Sequence, residues 1–373
     1  MATRGERSDA QRRGAARRKR SASRPDAHPA RPARRGKLAA RKGGNTAAPP
    51  AGSVEEQLQA IEQSGGAGTL RVVRGKTLDV TSLDKVYFPA VGATKGELMR
   101  YYARVAPVIL PLIADRPLVL KRSPDGVDGE TFFQQKPPAR IPAPVRVESI
   151  AAQSAGGGRG KPERRIVGGE MVTLLYTVQL GCISVDPWFS RVGTIDYPDY
   201  AIIDLDPGPE APFGRVVHAA RLVHDEMERL GLRGALKTSG SRGLHIALPL
   251  PAGTPYDSAL RLAELVATRV AEAHPDAATI KRSLAERPPA AVYLDYLQNA
   301  RGKSLACAYC VRAKADATVS TPIDWSELGD ALDPGSFTIR SVPGRLEELG
   351  DIWGSAMRRA NTRRAVASTL SGE

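Results

Sequence analysis

Two hydrophobic periods alternate along most of the chain. Apolar residues recur at helical spacing from Lys95 to Leu112 (Leu98, Tyr101, Tyr102, Val105, Val108, Ile109), with Thr94 placed to cap the first turn. The same period predicts helices over Glu170–Leu180, over Phe213–Leu230 (Val216, Val217, Ala220, Val223, Met227, Leu230) and over Asp257–Ala273. Short apolar or alternating runs predict strands near Thr69 (Leu70, Val72, Val73), at Leu118–Lys121 and at Thr131–Gln134, the last two around the turn Pro124-Asp125-Gly126. Further strands are expected at Tyr200–Asp206, Leu244–Leu250 and Val292–Leu297. Gly335–Glu348 reads as one more strand and turn, Glu347–Ala367 as helix, and Ser154–Arg165 as a flexible basic loop. Residues 54–63 read as a turn or two of helix before Gly65-Gly66. No internal repeat is present, and strands alternating with helices define an α/β class.

Composition changes this picture mainly at the N-terminus. The formal charge is +14, yet the first fifty residues hold fifteen of the 54 Lys and Arg and only three of the 40 Asp and Glu. That segment has no aromatic residue and cannot bury a core, so residues 1–66 are expected to be a disordered basic tail. Clusters such as Arg17-Arg18-Lys19-Arg20 read either as an arm for polyanions or as a solubilising tail. The expected partition continues with a catalytic domain over 67–350 and a C-terminal helix or tail over 351–373. No apolar run approaches the ~20 residues a membrane span needs. Three cysteines exclude a disulfide scaffold and fit a reducing, cytoplasmic compartment. Cys307 and Cys310 have CxxC spacing, but only Cys182 remains to partner them, so they read as ordinary cysteines.

The most informative segment is Tyr200-Ala-Ile-Ile-Asp-Leu-Asp-Pro-Gly. Alternation on a strand puts Asp204 and Asp206 on one face, and Pro207-Gly208 ends the strand beside them. Adjacent carboxylates repel unless a cation lies between them, and hard oxygen ligands suit Mg²⁺ or Mn²⁺. Asp295, within the apolar run Val292-Tyr-Leu-Asp-Tyr-Leu, is either a third metal carboxylate or the partner of an arginine such as Arg287 or Arg312.

Between these strands lies Lys237-Thr-Ser-Gly-Ser-Arg-Gly-Leu-His. Gly240 and Gly243 permit a tight turn, while Ser239, Ser241 and Arg242 offer donors to phosphate oxygens. His245 falls on the face opposite Leu244, Ile246 and Leu248, pointing away from that core, and reads as a ligand-facing or a structural histidine. Lys121-Arg122, Arg287, Arg301, Lys303 and Arg312 are basic residues for a triphosphate or a nucleic-acid backbone, or else solvated charges. Phe132-Phe133 reads as a base-stacking platform or as core.

In that order, Asp204-Leu-Asp206, Ser239-Gly-Ser-Arg-Gly-Leu-His245 and Asp295 resemble the three motifs of the archaeo-eukaryotic primase superfamily. More closely, from about Thr69 to about Gly350, the chain resembles the polymerase domain of bacterial ligase D, which works with Ku in non-homologous end joining. Leu83-Asp-Lys-Val-Tyr-Phe-Pro-Ala, Tyr101-Tyr-Ala-Arg-Val-Ala-Pro and Lys121-Arg-Ser-Pro-Asp-Gly-Val-Asp-Gly carry the likeness. So do Asp295-Tyr-Leu-Gln-Asn-Ala-Arg-Gly-Lys and Val319-Ser-Thr-Pro-Ile-Asp-Trp.

The resemblance implies a primase-polymerase fold, with an RRM-like antiparallel catalytic sheet packed on helices and an N-terminal α/β module. It implies template-directed nucleotide addition to DNA ends or gaps, with a de novo primase or a weakly catalytic end-binding protein as alternatives. Asp204, Asp206 and Asp295 would hold two Mn²⁺ or Mg²⁺ ions. Ser239, Gly240, Arg242 and His245, with Lys121, Arg287, Gln298 and Arg312, would bind the nucleoside triphosphate. Lys85 and Lys95 would grip a 5′-phosphate, and Arg122, Phe132 and Phe133 would meet DNA. Implied partners are primer-template DNA, Ku and a separate ATP-dependent ligase, at the nucleoid. The chain departs from the family at Val185-Asp-Pro-Trp188, where Ile-His-Pro-Trp is usual, and at Cys310, where serine is usual. It carries no Lys-x-Asp-Gly ligase motif, so a stand-alone polymerase is expected.

Overall fold

A reciprocal cap starts the first helix. The Ser53 hydroxyl accepts from Glu56 N, and the Glu56 carboxylate accepts from Ser53 N, opening α1 (Val54–Gln63). The computed structural model describes residues 52–72, 75–153 and 159–372. Expectations on residues 1–51, on Val73 and on the loop tip 154–158 lie outside the described residues. Leu58 of α1 is fully buried in the core, so the tail boundary drawn at residue 66 moves N-terminal of this helix. Pro49–Glu373 form one compact unit.

β1 (Gly68–Arg71) pairs with β2 (Thr77–Val80), and β3 (Val86–Phe88) with β4 (Ala93–Thr94). Thr94 Oγ1 accepts from Glu97 N to cap α2 (Lys95–Ile113), whose apolar face carries the residues its periodicity marks. β5 (Leu118–Arg122) lies between β6 (Phe132–Gln134) and the later β9 (Asp186–Pro187). β7 (Val147–Gln153) and β8 (Arg159–Ile166) form an antiparallel ribbon, followed by α3 (Met171–Gln179). This corrects the loop expected over Ser154–Arg165: from residue 159 it is strand. Lys161, Pro162 and Arg164 are exposed while Arg165 and Ile166 are buried in succession, so no hydrophobic alternation marks it.

The second half builds one sheet. Its elements are β10 (Tyr200–Pro207), α4 (Phe213–Arg229), β11 (Ala235–Thr238), β12 (Leu244–Pro249), α5 (Tyr256–Ala273), β13 (Ala278–Thr279), β14 (Val292–Asp295) and β15 (Pro322–Ile323). Spatial order is β13-β14-β10-β12-β11-β15, antiparallel except for the β13–β14 pair. Strands β10, β11, β12 and β14 with α4 and α5 make a β-α-β-β-α-β unit, the split arrangement expected from the resemblance.

Alternation gives the two sheet faces different tasks. Ala201, Ile203, Leu205, Leu236, Leu244, Ile246, Leu248, Val292 and Leu294 pack under α4 and α5. Ile202, Ala235 and Ala247, on the opposite face, join the core of the N-terminal half. That second face also carries Asp204, Asp206, Lys237, His245 and Asp295.

The chain closes with α6 (Val342–Leu349), α7 (Ile352–Met357) and α8 (Arg363–Ser371). The strand expected in Gly335–Glu348 is instead a helix with Pro343 in its first turn. The helix expected over Glu347–Ala367 is interrupted at Gly350, which adopts φ +68°, and again after Met357, where the Asn361 side chain bonds the backbone of Arg233 and Pro249. Trp353 and Val366 are buried, so the described residues 351–372 pack on the domain. No helix among the described residues is long and apolar enough to cross a membrane.

Candidate active site

Strand pairing assembles the carboxylates. Asp204 lies opposite Asp295 across β10 and β14, and opposite His245 across β10 and β12. Asp206, two residues on, shares the face of Asp204 at the exposed rim. Asp295 ends β14 rather than sitting mid-strand: the chain turns there, and Leu297 N donates to its Oδ1 at 2.9 Å. Gln298 Nε2 donates to Asp295 Oδ2 at 3.0 Å, and the Tyr293 hydroxyl to Oδ1 at 3.3 Å. Among the described residues no arginine lies within ion-pair distance of Asp295, whose partners are Tyr293, Leu297 N and Gln298.

The electrostatics match an acidic centre. Burial, and then Asp295 beside it, push the Asp204 carboxyl up to about 7 against the pull of Lys237 and Arg312. Partial burial first, then Asp204 and Asp295, push Asp206 up to about 6 against the pull of Arg287 and Arg242. Asp204 Oδ1 is buried and accepts no hydrogen bond. His245 Nε2 is 3.2 Å from it but outside hydrogen-bond alignment. A buried carboxylate oxygen with no donor, facing two further carboxylates, fits a divalent cation. The three aspartates are not drawn into a tight cluster; among the described residues only His224, Asp225 and Glu228, at the surface of α4, bring ligand atoms within 4.8 Å of one another.

The glycine turn is held from within. Ser239 Oγ accepts from Ser241 N and Gly243 N, both at 3.1 Å. Gly240 adopts φ +68°, and a Cβ there would lie 2.9 Å from Ser320 N. At Gly243 a Cβ would meet Leu205 O at 2.2 Å, so only glycine lets the turn lie against β10. Arg312 donates to Ser239 O at 2.8 Å, and Arg242 to Gly208 O at 2.8 Å. Both guanidiniums thus border the turn, Arg242 from the solvent side. Arg287 donates to Lys281 O and Arg282 O, and stacks 3.6 Å over the Tyr293 ring.

His245 points away from the α4–α5 core as expected, but it is buried and hydrogen-bonded at Nδ1. Lys237 Nζ lies 2.5 Å from its Nδ1. Burial first, then Lys237 and Arg312, hold the imidazole well below its ordinary pKa, so it is neutral.

Other expected residues sit elsewhere. Lys121 stands 5.5 Å over the Phe133 ring and Arg122 5.2 Å over Phe132, beside β5 and β6. Phe133 is 69% exposed and Phe132 39%, which removes the reading of this pair as core. Arg122 is committed to Leu180 O and Gln134 Oε1. Lys85 bonds Pro124 O and pairs with Asp125, while Lys95 is buried against Thr81 O and Gln179 O. Burial and then Lys85 push Lys95 down to about 8. These two lysines lie together on the N-terminal half of the chain, Lys95 buried beneath Lys85.

Three residues were missed or given no role by sequence reasoning. Lys237 was quoted only as the start of a loop, although β11 buries it completely. Asn299 was quoted only within a motif; its Oδ1 accepts from Ile202 N and its Nδ2 donates to Ile202 O, each at 2.7 Å. It continues the β14 ladder beyond Asp295 and steadies β10 just before Asp204. Tyr293, whose hydroxyl touches Asp295, had no distinguishing signal.

A carboxylate-bearing β-α-β-β-α-β sheet with a glycine turn and histidine beside it defines a nucleotidyltransferase of the primase-polymerase class. Residues 94–353 match the family described as LigD, primase-polymerase domain. The chain is 34% identical over 284 residues to the multifunctional non-homologous end joining protein LigD of Pseudomonas aeruginosa, covering 76% of this chain and 33% of that protein. It is 31% identical over 274 residues to the bifunctional LigD of Bacillus subtilis, covering 73% of this chain and 43% of that one. The polymerase domain of Mycobacterium tuberculosis ligase D, solved in complex with DNA, superposes with a TM-score of 0.69 at 29% identity. That match covers 76% of this chain and 99% of the solved domain. The chain belongs to the LigD primase-polymerase domain family, and it spans a third to under half of the length of these two LigD proteins.

Proposed function

We propose that the chain adds nucleotides to DNA ends and gaps, directed by a template, in double-strand break repair. The observation that carries this is Asp204 Oδ1, buried without a donor between Asp295 and His245 on the face shared with Asp206. Asp204, Asp206 and Asp295 would hold Mn²⁺ or Mg²⁺, which when bound supplies charge for the attacking and leaving oxygens. The glycine turn, Arg242, Arg312 and His245 would grip the triphosphate, with Lys121, Arg287 and Gln298 around it. A bond forms from the primer 3′-oxygen to the α-phosphorus while the bond to pyrophosphate breaks. Phe132 and Phe133 offer exposed rings for template bases, and Lys85 with Lys95 offers cations for a 5′-phosphate. Ku and a separate ligase would be its partners at the nucleoid, and the basic N-terminus would add salt-sensitive affinity for DNA.

The test is primer extension on a gapped, 5′-phosphorylated duplex with Mn²⁺, comparing the wild type with Asp206→Ala. Asp206 is exposed, so this change leaves the fold intact. Extension by the wild type alone supports the proposal. Silence from both, with DNA binding retained, would leave an end-binding protein, and dinucleotides made without primer would point to a primase.

A further inference from the structure

We propose that Lys237 is a positioning residue that fixes the tautomer of His245, so that the imidazole presents a proton at Nε2 to the nucleotide side of the site. This rests on the function above only for its catalytic consequence; the tautomer is a property of the chain alone.

Three strands bring the groups into line. Lys237 is the ladder partner of His245, and His245 that of Asp204, so the three side chains share one face. Lys237 Nζ reaches His245 Nδ1 at 2.5 Å and Ser320 Oγ at 2.6 Å, and Ser320 Oγ in turn donates to Thr238 O at 2.8 Å. Burial pushes Lys237 down to about 8, which still leaves it an ammonium at neutral pH, and an ammonium has donors only, so the nitrogen it meets must offer a lone pair. The proton of the neutral ring then sits on Nε2, which faces Asp204 at 3.2 Å.

Lys237 is 2% exposed, and no carboxylate lies within ion-pair distance of it among the described residues. A buried ammonium is costly, and a methionine would fill the same space without that cost, so packing alone does not explain a lysine here. Without the cation the ring is free to move its proton to Nδ1. Nε2 would then turn a lone pair toward any phosphate oxygen held beside it, exchanging a donor for a repulsive contact. The competing role is a tether, through Ser320, between β11 and the segment before β15.

Nitrogen-15 spectra of the metal-free chain, labelled at histidine, decide between them. His245 is identified among five histidines by the signal lost in His245→Gln. The wild type is expected to show a protonated Nε2 and an unprotonated Nδ1. Lys237→Met should lose that fixed tautomer, while Ser320→Ala, which cuts only the tether, should keep it. An Nδ1–H tautomer in the wild type, or an unchanged one in folded Lys237→Met, overturns the proposal. Should Lys237→Met fail to fold, coupling across the bond from Lys237 Nζ to His245 Nδ1 in the wild type decides: its presence supports the proposal and its absence overturns it. In primer extension, Lys237→Met should raise KM for the nucleotide about ten-fold with a smaller effect on kcat. It should add nothing further in a His245→Gln background, and additive losses would overturn the proposal. A wild type that extends no primer would sink the proposed function and leave the tautomer standing.

Discussion

Replacing Asp204 by asparagine should remove activity and yet stabilise the metal-free protein. Burial and Asp295 push this carboxyl from 3.8 up to about 7. A raised folded pKa means that the folded chain holds the proton more tightly than the unfolded one. Below pH 3.8 both states are protonated and the site imposes no cost. As pH climbs toward 7 the unfolded chain ionises first, and folding loses stability until the folded pKa is passed. At ~1.36 kcal/mol per pH unit the cost is roughly 1.5–2 kcal/mol at pH 5, with a ceiling near 4 kcal/mol at pH 8. The side chain is only 13% exposed, so solvent screening takes little from this figure. Asparagine keeps the shape, cannot ionise, and can turn its carbonyl toward His245 Nε2. Urea denaturation followed by tryptophan fluorescence in a chelator should therefore show Asp204→Asn more stable, the gain widening by roughly 2 kcal/mol from pH 5 to pH 8. Added Mn²⁺ should raise the wild type more than the variant, because a ligand bound only by the folded chain stabilises it. Equal stability at pH 8, or a gap indifferent to pH, would refute the placement of a strained carboxylate at 204.

Gly243→Ala should destabilise by about 3 kcal/mol or more, since its Cβ would lie 2.2 Å from Leu205 O, and a thermal melt reads the loss. Asn299→Ala strands the amide and carbonyl of Ile202 in the core. A loss of about 2–4 kcal/mol by urea titration is expected, and an unchanged midpoint would deny the clamp. Phe133→Ala should leave stability within ~0.5 kcal/mol because the ring is 69% exposed. It should weaken binding to a single-stranded overhang by about 1–3 kcal/mol in a fluorescence-anisotropy titration, and unchanged affinity would remove the ring from the template path.

Where one face of an element is buried, its residues announced it. The α4 stripe through Val216, Val223 and Met227, and the Asp204–Asp206 alternation on β10, were legible for that reason. The β7–β8 ribbon was not, because only Ile150, Arg165 and Ile166 of its described side chains are buried, with Val147 at the edge of the core, too few to impose an alternation. β11 was hidden because a buried lysine breaks the apolar run that would mark it. Asp204 and Asp206 could be placed on one face from spacing alone, but their nearness to Asp295 depends on pairing across some ninety residues. The residues alone offered Asp295 as a third metal carboxylate or as an arginine's partner, and the family resemblance favoured the first. The bond between Lys237 and His245 likewise depends on register between β11 and β12, and no local signal encodes it.

The Asn299 clamp bears on the order of events during folding. Its bonds to Ile202 join residues 97 apart in the chain, and the β14 ladder beside it closes a loop of similar size. Loop-closure entropy delays such contacts, whereas the hairpin of β11 and β12 has only a short turn to close. Asp295 therefore reaches Asp204 only after most of the sheet has formed. The like charges meet late, when enough structure exists to hold them together, and the early stages proceed without their repulsion. A cation is then bound by a sheet already built and is not needed as the nucleus on which that sheet grows.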